Sequence, residues 1–234
     1  MRLSPDQIVV LQLGPWPINA TLVFSWLVMA LLVVGSWLVT RRLSPGGAIG
    51  SGQNVLEAVV AFLLDQIREV TRQDPEPYLP FVGTLFLYIV TCNVLSVVPG
   101  FESPTGSLAT ATALALCVFV AVPAFGIAKL GLRRYLANYL RPSPFLLPFT
   151  VIGELSRTLA LAVRLFGNVM SGSVIAAILL SVTPLLFPVV MQAFGLLIGV
   201  IQAYIFAILA IVYIASGAEL QERRARTLEG EAAT

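Results

Sequence analysis

The chain has 234 residues, of which 58% are hydrophobic and only 11% charged, and its mean hydropathy is +0.91. This composition excludes an ordinary soluble domain, and the long apolar runs predict an integral membrane protein. The net charge of +2, without a basic stripe interleaved with aromatic residues, argues against a nucleic-acid partner. With no histidine, two cysteines inside apolar runs and no phosphate-binding loop or nucleophile triad, we expect no metal, no cofactor and no enzyme active site.

The first apolar segment, 20–40, is long enough to span a membrane and is followed by Arg41 and Arg42. By the positive-inside rule this pair places the end of the span in the cytoplasm and the N-terminus outside. Segment 53–72 has an apolar and a charged face at helical spacing, which predicts an amphipathic helix along the cytoplasmic membrane surface. A helix packed on a protein partner would show the same pattern, and the two interpretations are compatible.

Two further spans are predicted at 81–98 and 108–130. The first of them carries a polar residue, Asn93, and the loop between them carries one carboxylate, Glu102. The second ends in a basic cluster that again indicates the cytoplasm. This cluster consists of Lys129, Arg133, Arg134 and Arg141.

Two long apolar helices, 149–181 and 189–217, complete the membrane part, and a polar cytoplasmic tail is predicted at 218–234. The chain is therefore predicted to be an all-α integral membrane protein that forms a single membrane domain over 1–234. It should have about five membrane-embedded helices and one amphipathic surface helix.

The helix at 149–181 carries an arginine, Arg164, near its middle. An arginine stays protonated in a protein, and at membrane depth its charge costs between about 3 and 10 kcal/mol or more. At helical spacing it shares a narrow polar stripe with Arg157, Asn168 and Ser171, and nearby glycines let another helix approach closely. The pattern indicates that the other helices serve to place this guanidinium.

Four segments resemble the a subunit of F-type rotary ATP synthases, the static membrane subunit that conducts ions past a rotating ring of c subunits. They are GELSRTLALAVRLFGNVMSG around Arg164, PYLPFVGTLFLYIVTCNVLSVVPG, PTGSLATATALAL and IQAYIFAILAIVYIA, and together they cover roughly 77–218. The resemblance implies a non-catalytic subunit of the complex, in contact with the ring of c subunits, the stalk of the b subunit and membrane lipid. It also implies a bacterial plasma-membrane location and a last hairpin of helices that is tilted along the ring.

In this family the arginine that matches Arg164 drives ion release from the c-subunit carboxylate and separates two half-channels for H⁺ or Na⁺. Asn168 and Gln202 match positions associated with the ion path and with positioning that arginine, although both could simply form interhelical hydrogen bonds. Asn93 matches another polar position of the family, with the same two interpretations. We expect Ser171 and Ser173 to contribute polar groups to the path.

Two carboxylates lie near the ends of the predicted path. Glu154 fits either the mouth of the inner half-channel or an ion pair with Arg157, three residues later. Glu102 fits either the outer half-channel or a solvated loop.

The sequence departs from the family where many members carry a proton-handling pair. Ser173 stands where they have a Glu, and Gly195 where they have a His or Glu on the facing helix. No Asp, Glu, Lys, Arg or His occurs between Arg164 and Glu219. Ions must then travel through water held by amide and hydroxyl groups, which suits Na⁺ as well as H⁺. The pattern also resembles the divergent N-type ATPases, for which Na⁺ transport has been proposed.

Two functions of other classes are compatible with a membrane protein of this kind. A secondary transporter or channel could use Arg164 as an anion site, but it would be expected to show a second, pseudo-symmetric half with broken helices. A non-conducting assembly subunit would leave the energetic cost of Arg164 unexplained.

Overall fold

Six α-helices form most of the described part of the chain. In the computed structural model this part comprises residues 9–13, 16–41, 51–72, 74–98, 100–133, 135, 147–182 and 187–231. The helices within it are α1 (Ala20–Thr40), α2 (Ser51–Thr71), α3 (Leu79–Leu95), α4 (Leu108–Leu130), α5 (Leu147–Val182) and α6 (Phe187–Glu231). Of the predicted features, Arg42, Arg134, Arg141 and residues 232–234 lie outside the described residues.

Three of the described helices are long and apolar enough to cross a membrane by length and composition. They comprise α1, the segment Leu108–Lys129 of α4 and the segment Val189–Ala215 of α6. Helix α3 is also apolar but shorter, with 17 residues, and α5 carries two arginines. The prediction of five membrane-embedded helices therefore stays a prediction.

The described chain is almost entirely α-helical, as predicted, and a short pair of β-strands precedes the first helix. Strand β1 (Val9–Leu13) pairs antiparallel with β2 (Trp16–Asn19), and α1 begins directly after β2. β-branched residues such as Val9 and Val10 favour an extended backbone. The sequence pattern shows only a short, proline-broken segment, because so short a ribbon leaves no long periodicity.

The main core lies where α3, α4, α5 and α6 meet. Small residues at helical spacing on α4, such as Ala111 and Ala115, are completely buried. They let the backbones of the neighbouring helices approach closely, as is usual in membrane bundles. Larger side chains fill the remaining space, including Ile89 of α3, Leu161 and Leu165 of α5 and Phe206 of α6.

Helix α2 packs its apolar face on the protein itself. Ile67 is 1% exposed and belongs to a second core cluster with Val82 of α3 and Ile211 of α6. On the opposite face, Arg68 and Asp65 are exposed and form an ion pair of 3.6 Å. The amphipathic pattern of α2 thus reflects contact with α3 and α6, and the face that would meet headgroups and water is charged.

The helix α6 extends further than the apolar pattern indicates. A polar tail was predicted to begin at residue 218, yet α6 continues as one helix to Glu231. The tail sequence contains good helix formers such as Ala, Leu, Glu and Arg and no proline, so nothing in it ends the helix.

We predict that Ile67→Ala destabilises the bundle, whereas Val55→Ala on the same helix does not. Ile67 is completely buried, and truncating such a side chain costs about 2–5 kcal/mol. Val55 is 66% exposed, so Val55→Ala also truncates an apolar side chain of α2, but at a position that is not buried. Thermal unfolding of the purified complex in detergent measures both effects. Equal transition temperatures for the two variants would show that α2 does not depend on this contact.

Candidate functional site

The guanidinium of Arg164 lies on the outer surface of α5. Arg164 and its neighbour Val163 are exposed, whereas Leu161 and Leu165 on the other side of the same helix turn are buried in the core. Within the described part of the chain, no hydrogen bond or ion pair is formed by Arg164. The helix therefore presents a charged group outward from an apolar core.

Much of the exposed surface of α5 and α6 is apolar. Large exposed hydrophobic side chains continue along α5 on both sides of the arginine and along α6. Such a surface must be covered by lipid or by another protein, and neither can hydrate a guanidinium as water does. These side chains are Leu155, Leu159, Ile175 and Ile178 of α5 and Phe194, Leu197 and Ile201 of α6.

Asn168 and Ser171 follow Arg164 on α5. Asn168 is half-buried, and its backbone carbonyl accepts a hydrogen bond of 3.1 Å from the Ser171 hydroxyl. Ser171 itself is exposed. Ser173 belongs to the described helix, but its side chain lies outside the described part. Arg164, Asn168 and Ser171 thus follow one another at helical spacing on α5.

Two buried amides lie on α3 and α6, one on each helix. Asn93 of α3 is 6% exposed, and its Nδ2 donates a hydrogen bond of 2.9 Å to the backbone carbonyl of Gly199 on α6. Gln202, three residues after Gly199, is 7% exposed, and its Nε2 has no hydrogen-bond partner. Leaving such a donor unsatisfied costs about 1–3 kcal/mol, so a group outside the described chain is expected to bind it.

A second glutamine of α6 also forms a hydrogen bond to the α3 segment. The Nε2 of Gln192 donates to the carbonyl of Val97, just after α3, at 3.3 Å. Gly199 was not a predicted site residue. The signal that could have found it is its spacing from Gln192, Gly195 and Gln202 on one helical face.

The loop between α3 and α4 packs into the bundle. Its turn Pro104–Gly106 is buried and contacts α5 close to Asn168, because a Cβ built on Gly106 would lie 3.1 Å from Cγ1 of Val169. Glu102 in the same loop is exposed. The turn is therefore close to the arginine helix, while the carboxylate of Glu102 faces outward.

The ion pair that the spacing suggested for Glu154 and Arg157 is absent. The Arg157 guanidinium lies 5.7 Å from the ring centroid of Tyr213 on α6, and such contacts between a cation and an aromatic face are attractive. Glu154 is half-buried. Burial, and then the nearby Glu154 carboxylate, raise the pKa of Tyr135 in the segment after α4. Among the described residues, Glu154 thus forms no ion pair with Arg157.

A profile of the family described as ATP synthase A chain matches residues 22–215. The chain belongs to this family. An ATP synthase subunit a 2 of Acaryochloris marina (strain MBIC 11017) is 59% identical over 227 residues, which is 97% of each chain. An ATP synthase subunit a of Albidiferax ferrireducens (strain ATCC BAA-621 / DSM 15236 / T118) is 57% identical over 216 residues, 92% of this chain and 94% of the relative.

Members of the ATP synthase A chain family are the stator subunit in the membrane sector of F-type ATP synthases. They are components of that complex and are not themselves catalytic. Among the described residues of this member, no group of three or more His, Cys, Asp or Glu side chains could hold a metal ion.

We predict that Gln202→Leu leaves the stability of the complex unchanged or raises it slightly, while it lowers ion transport. Gln202 Nε2 forms no hydrogen bond to the described chain, so replacing the side chain by an apolar group of similar size breaks no contact of this donor with another helix. Thermal unfolding of the detergent-solubilised complex and ATP-driven ion uptake into liposomes measure the two effects. If stability instead falls by about 2 kcal/mol or more, Gln202 holds helices together and its role is structural.

Proposed function

We propose that this chain is the ion-conducting stator subunit of an F-type ATP synthase and that Arg164 is its essential charge. The observation that supports this most directly is an exposed guanidinium on an apolar surface of α5, without a partner in the described part of the chain. At membrane depth this arrangement costs several kcal/mol unless an anionic group lies opposite. A carboxylate on each c subunit of a ring that turns against α5 and α6 supplies that group.

Arg164 drives ion release by stabilising the ionised form of the ring carboxylate. An opposite charge within about 4–6 Å lowers the pKa of an acid by roughly 1–3 units. A carboxylate that arrives with its proton or Na⁺ therefore gives up the ion next to Arg164. Lysine would serve less well, because its ammonium loses its proton when it is buried.

The same charge separates the two half-channels. A cation that tried to pass directly from one half-channel to the other would have to share a low-dielectric site with the guanidinium, and the repulsion there is large. Ions can then cross the membrane only while they are bound to a carboxylate of the rotating ring.

The half-channels are lined mainly by amide and hydroxyl groups, with a carboxylate near each mouth. We assign the outer path to Asn93, Gln202, Asn168 and Ser171, with Ser173 and Glu102 toward its mouth, and the inner mouth to Glu154. Asn93 and Gln202 support this assignment because they are buried polar groups on adjacent helices, and one of them lacks a partner. Because no Asp, Glu, Lys, Arg or His lies between Arg164 and Glu219, water held by amides and hydroxyls carries the ion, which is H⁺ or Na⁺.

The topology follows from the distribution of charge. We propose a multi-pass protein of the bacterial plasma membrane with its N-terminus outside and its C-terminus in the cytoplasm. In this arrangement α5 and α6 form a tilted hairpin against the c ring, and α1, α3 and α4 complete five membrane-embedded helices. The b subunit anchors the chain to the rest of the complex.

We predict that Arg164→Gln abolishes ATP-driven ion uptake although the complex still assembles. Arg164→Lys should fail as well, because the barrier requires a charge that burial cannot remove. The measurement is uptake into liposomes that contain the purified complex, followed as ²²Na⁺ with and without a protonophore and as internal acidification. Arg68→Gln is the matched control, since Arg68 is exposed on α2 and paired with Asp65.

If the Arg164→Lys complex couples ATP hydrolysis to ion uptake fully, the barrier does not require a permanent charge. If the Arg164→Gln complex pumps ions fully, the role of Arg164 is purely structural. If Arg164→Gln loses anion uptake but keeps ATP-driven ion pumping, the chain is instead a transporter that uses Arg164 as an anion site. ²²Na⁺ uptake that survives the protonophore identifies Na⁺ as the coupling ion, whereas protonophore-sensitive acidification alone identifies H⁺.

A further inference from the structure

Gly199 forms a notch in α6 that is filled by a side chain of α3. A Cβ built on Gly199 would lie 2.7 Å from Cγ of Asn93 and 3.0 Å from its Cβ and Nδ2. Contacts of this length do not occur between real side chains. Asn93 can therefore lie where it does only because residue 199 has no side chain.

The backbone of Gly199 also orients the amide. Asn93 Nδ2 donates to the Gly199 carbonyl at 2.9 Å, so the NH₂ end of the amide points at α6. The two ends of a planar amide diverge, and the oxygen must point elsewhere. Within the described part of the chain, Asn93 Oδ1 has no hydrogen-bond partner. The free end of this side chain is therefore an acceptor.

The donor that complements this acceptor lies on the next turn of α6. Gln202 follows Gly199 by three residues, about 4.5 Å along the helix axis, and its buried Nε2 lacks a partner. A buried water molecule needs two to four polar partners and can accept from one while it donates to another. The unpaired oxygen of Asn93, opposite Gly199, and the unpaired N–H of Gln202, three residues further along α6, are the two kinds of partner that such a water requires.

We propose that Gly199 is a positioning residue, which turns the amide oxygen of Asn93 toward a water molecule that Gln202 Nε2 also binds. This inference rests on the proposed function, in which that water belongs to the outer ion path. The species bound between Asn93 and Gln202 is a water molecule from the hydration shell of a monovalent cation, either Na⁺ or hydronium. The oxygen end of Asn93 accepts a hydrogen bond from this water, which the NH₂ end could not do.

The test compares Gly199→Ala, Asn93→Ala and the double variant in the intact complex in liposomes. Uptake of ²²Na⁺ is measured against NaCl concentration, and acidification is measured against pH. Gly199→Ala should raise the concentration of the transported ion needed for half-maximal uptake about fivefold, as expected for the loss of one hydrogen bond. The amount of assembled complex and its maximal ATP hydrolysis should not change.

The double variant distinguishes positioning from two separate effects. If Gly199 acts through Asn93, the double variant should behave like Asn93→Ala alone, because the amide is already gone. Additive effects would overturn the proposal, and so would an unchanged half-maximal concentration in Gly199→Ala. If Gly199→Ala prevents assembly, the double variant should restore it, and failure to do so would also overturn the proposal.

Gly35→Ala is the matched control, since this helical glycine lies on α1 and a Cβ built on it would have no atom within 4 Å. The Arg164→Gln complex separates this inference from the proposed function. If Arg164→Gln stops uptake while Gly199→Ala has no effect, only the role of Gly199 fails. If Arg164→Gln still pumps, the proposed function fails first.

Discussion

The charge of Arg164 is the constraint on which the rest of the structure depends. A guanidinium keeps its proton at membrane depth, so the protein has to supply an environment in which that charge is useful. Helix α5 has one face in the core and another that is exposed. It buries Leu161 and Leu165 in the core and leaves Arg164 exposed, and in the function we propose the carboxylate of a c subunit passes this exposed group.

The remaining helices hold α5 and α6 in fixed positions. Buried alanines on α4 let the backbones come close, and α2 joins α6 through a hydrogen bond of 2.6 Å from the Tyr204 hydroxyl to Gln66 Oε1. Arg157 over the ring of Tyr213 joins α5 to α6. A stator needs this rigidity, because the pKa effect of a charge on a carboxylate falls off within a few ångströms. The Asn93–Gly199 contact extends the same principle to a single amide.

The sequence alone indicated Arg164, Asn93 and Gln202, because a polar residue in a long apolar helix is conspicuous whatever it contacts. It could not indicate partners, which depend on how the helices pack. An ion pair between Glu154 and Arg157 was one of two interpretations of their i, i+3 spacing, but Arg157 lies over Tyr213, a residue remote in sequence. Gly199 shows the same difficulty, since the reason for its missing side chain is visible only once Asn93 is opposite it. The hairpin at residues 9–19 and the helical continuation of α6 to Glu231 escaped prediction because neither has an apolar periodicity.

Passive ion flux tests most directly whether Arg164 closes the path between the half-channels. Intact complex is reconstituted in liposomes without nucleotide, a membrane potential is applied, and the inward flux of ²²Na⁺ and of protons is measured for the native chain, Arg164→Ala and Arg68→Ala. We expect the native and Arg68→Ala complexes to show no passive ion flux. The Arg164→Ala complex should conduct the coupling ion down its electrochemical gradient, because the repulsive charge is gone. An Arg164→Ala complex as tight as the native one would show that something other than this guanidinium seals the path.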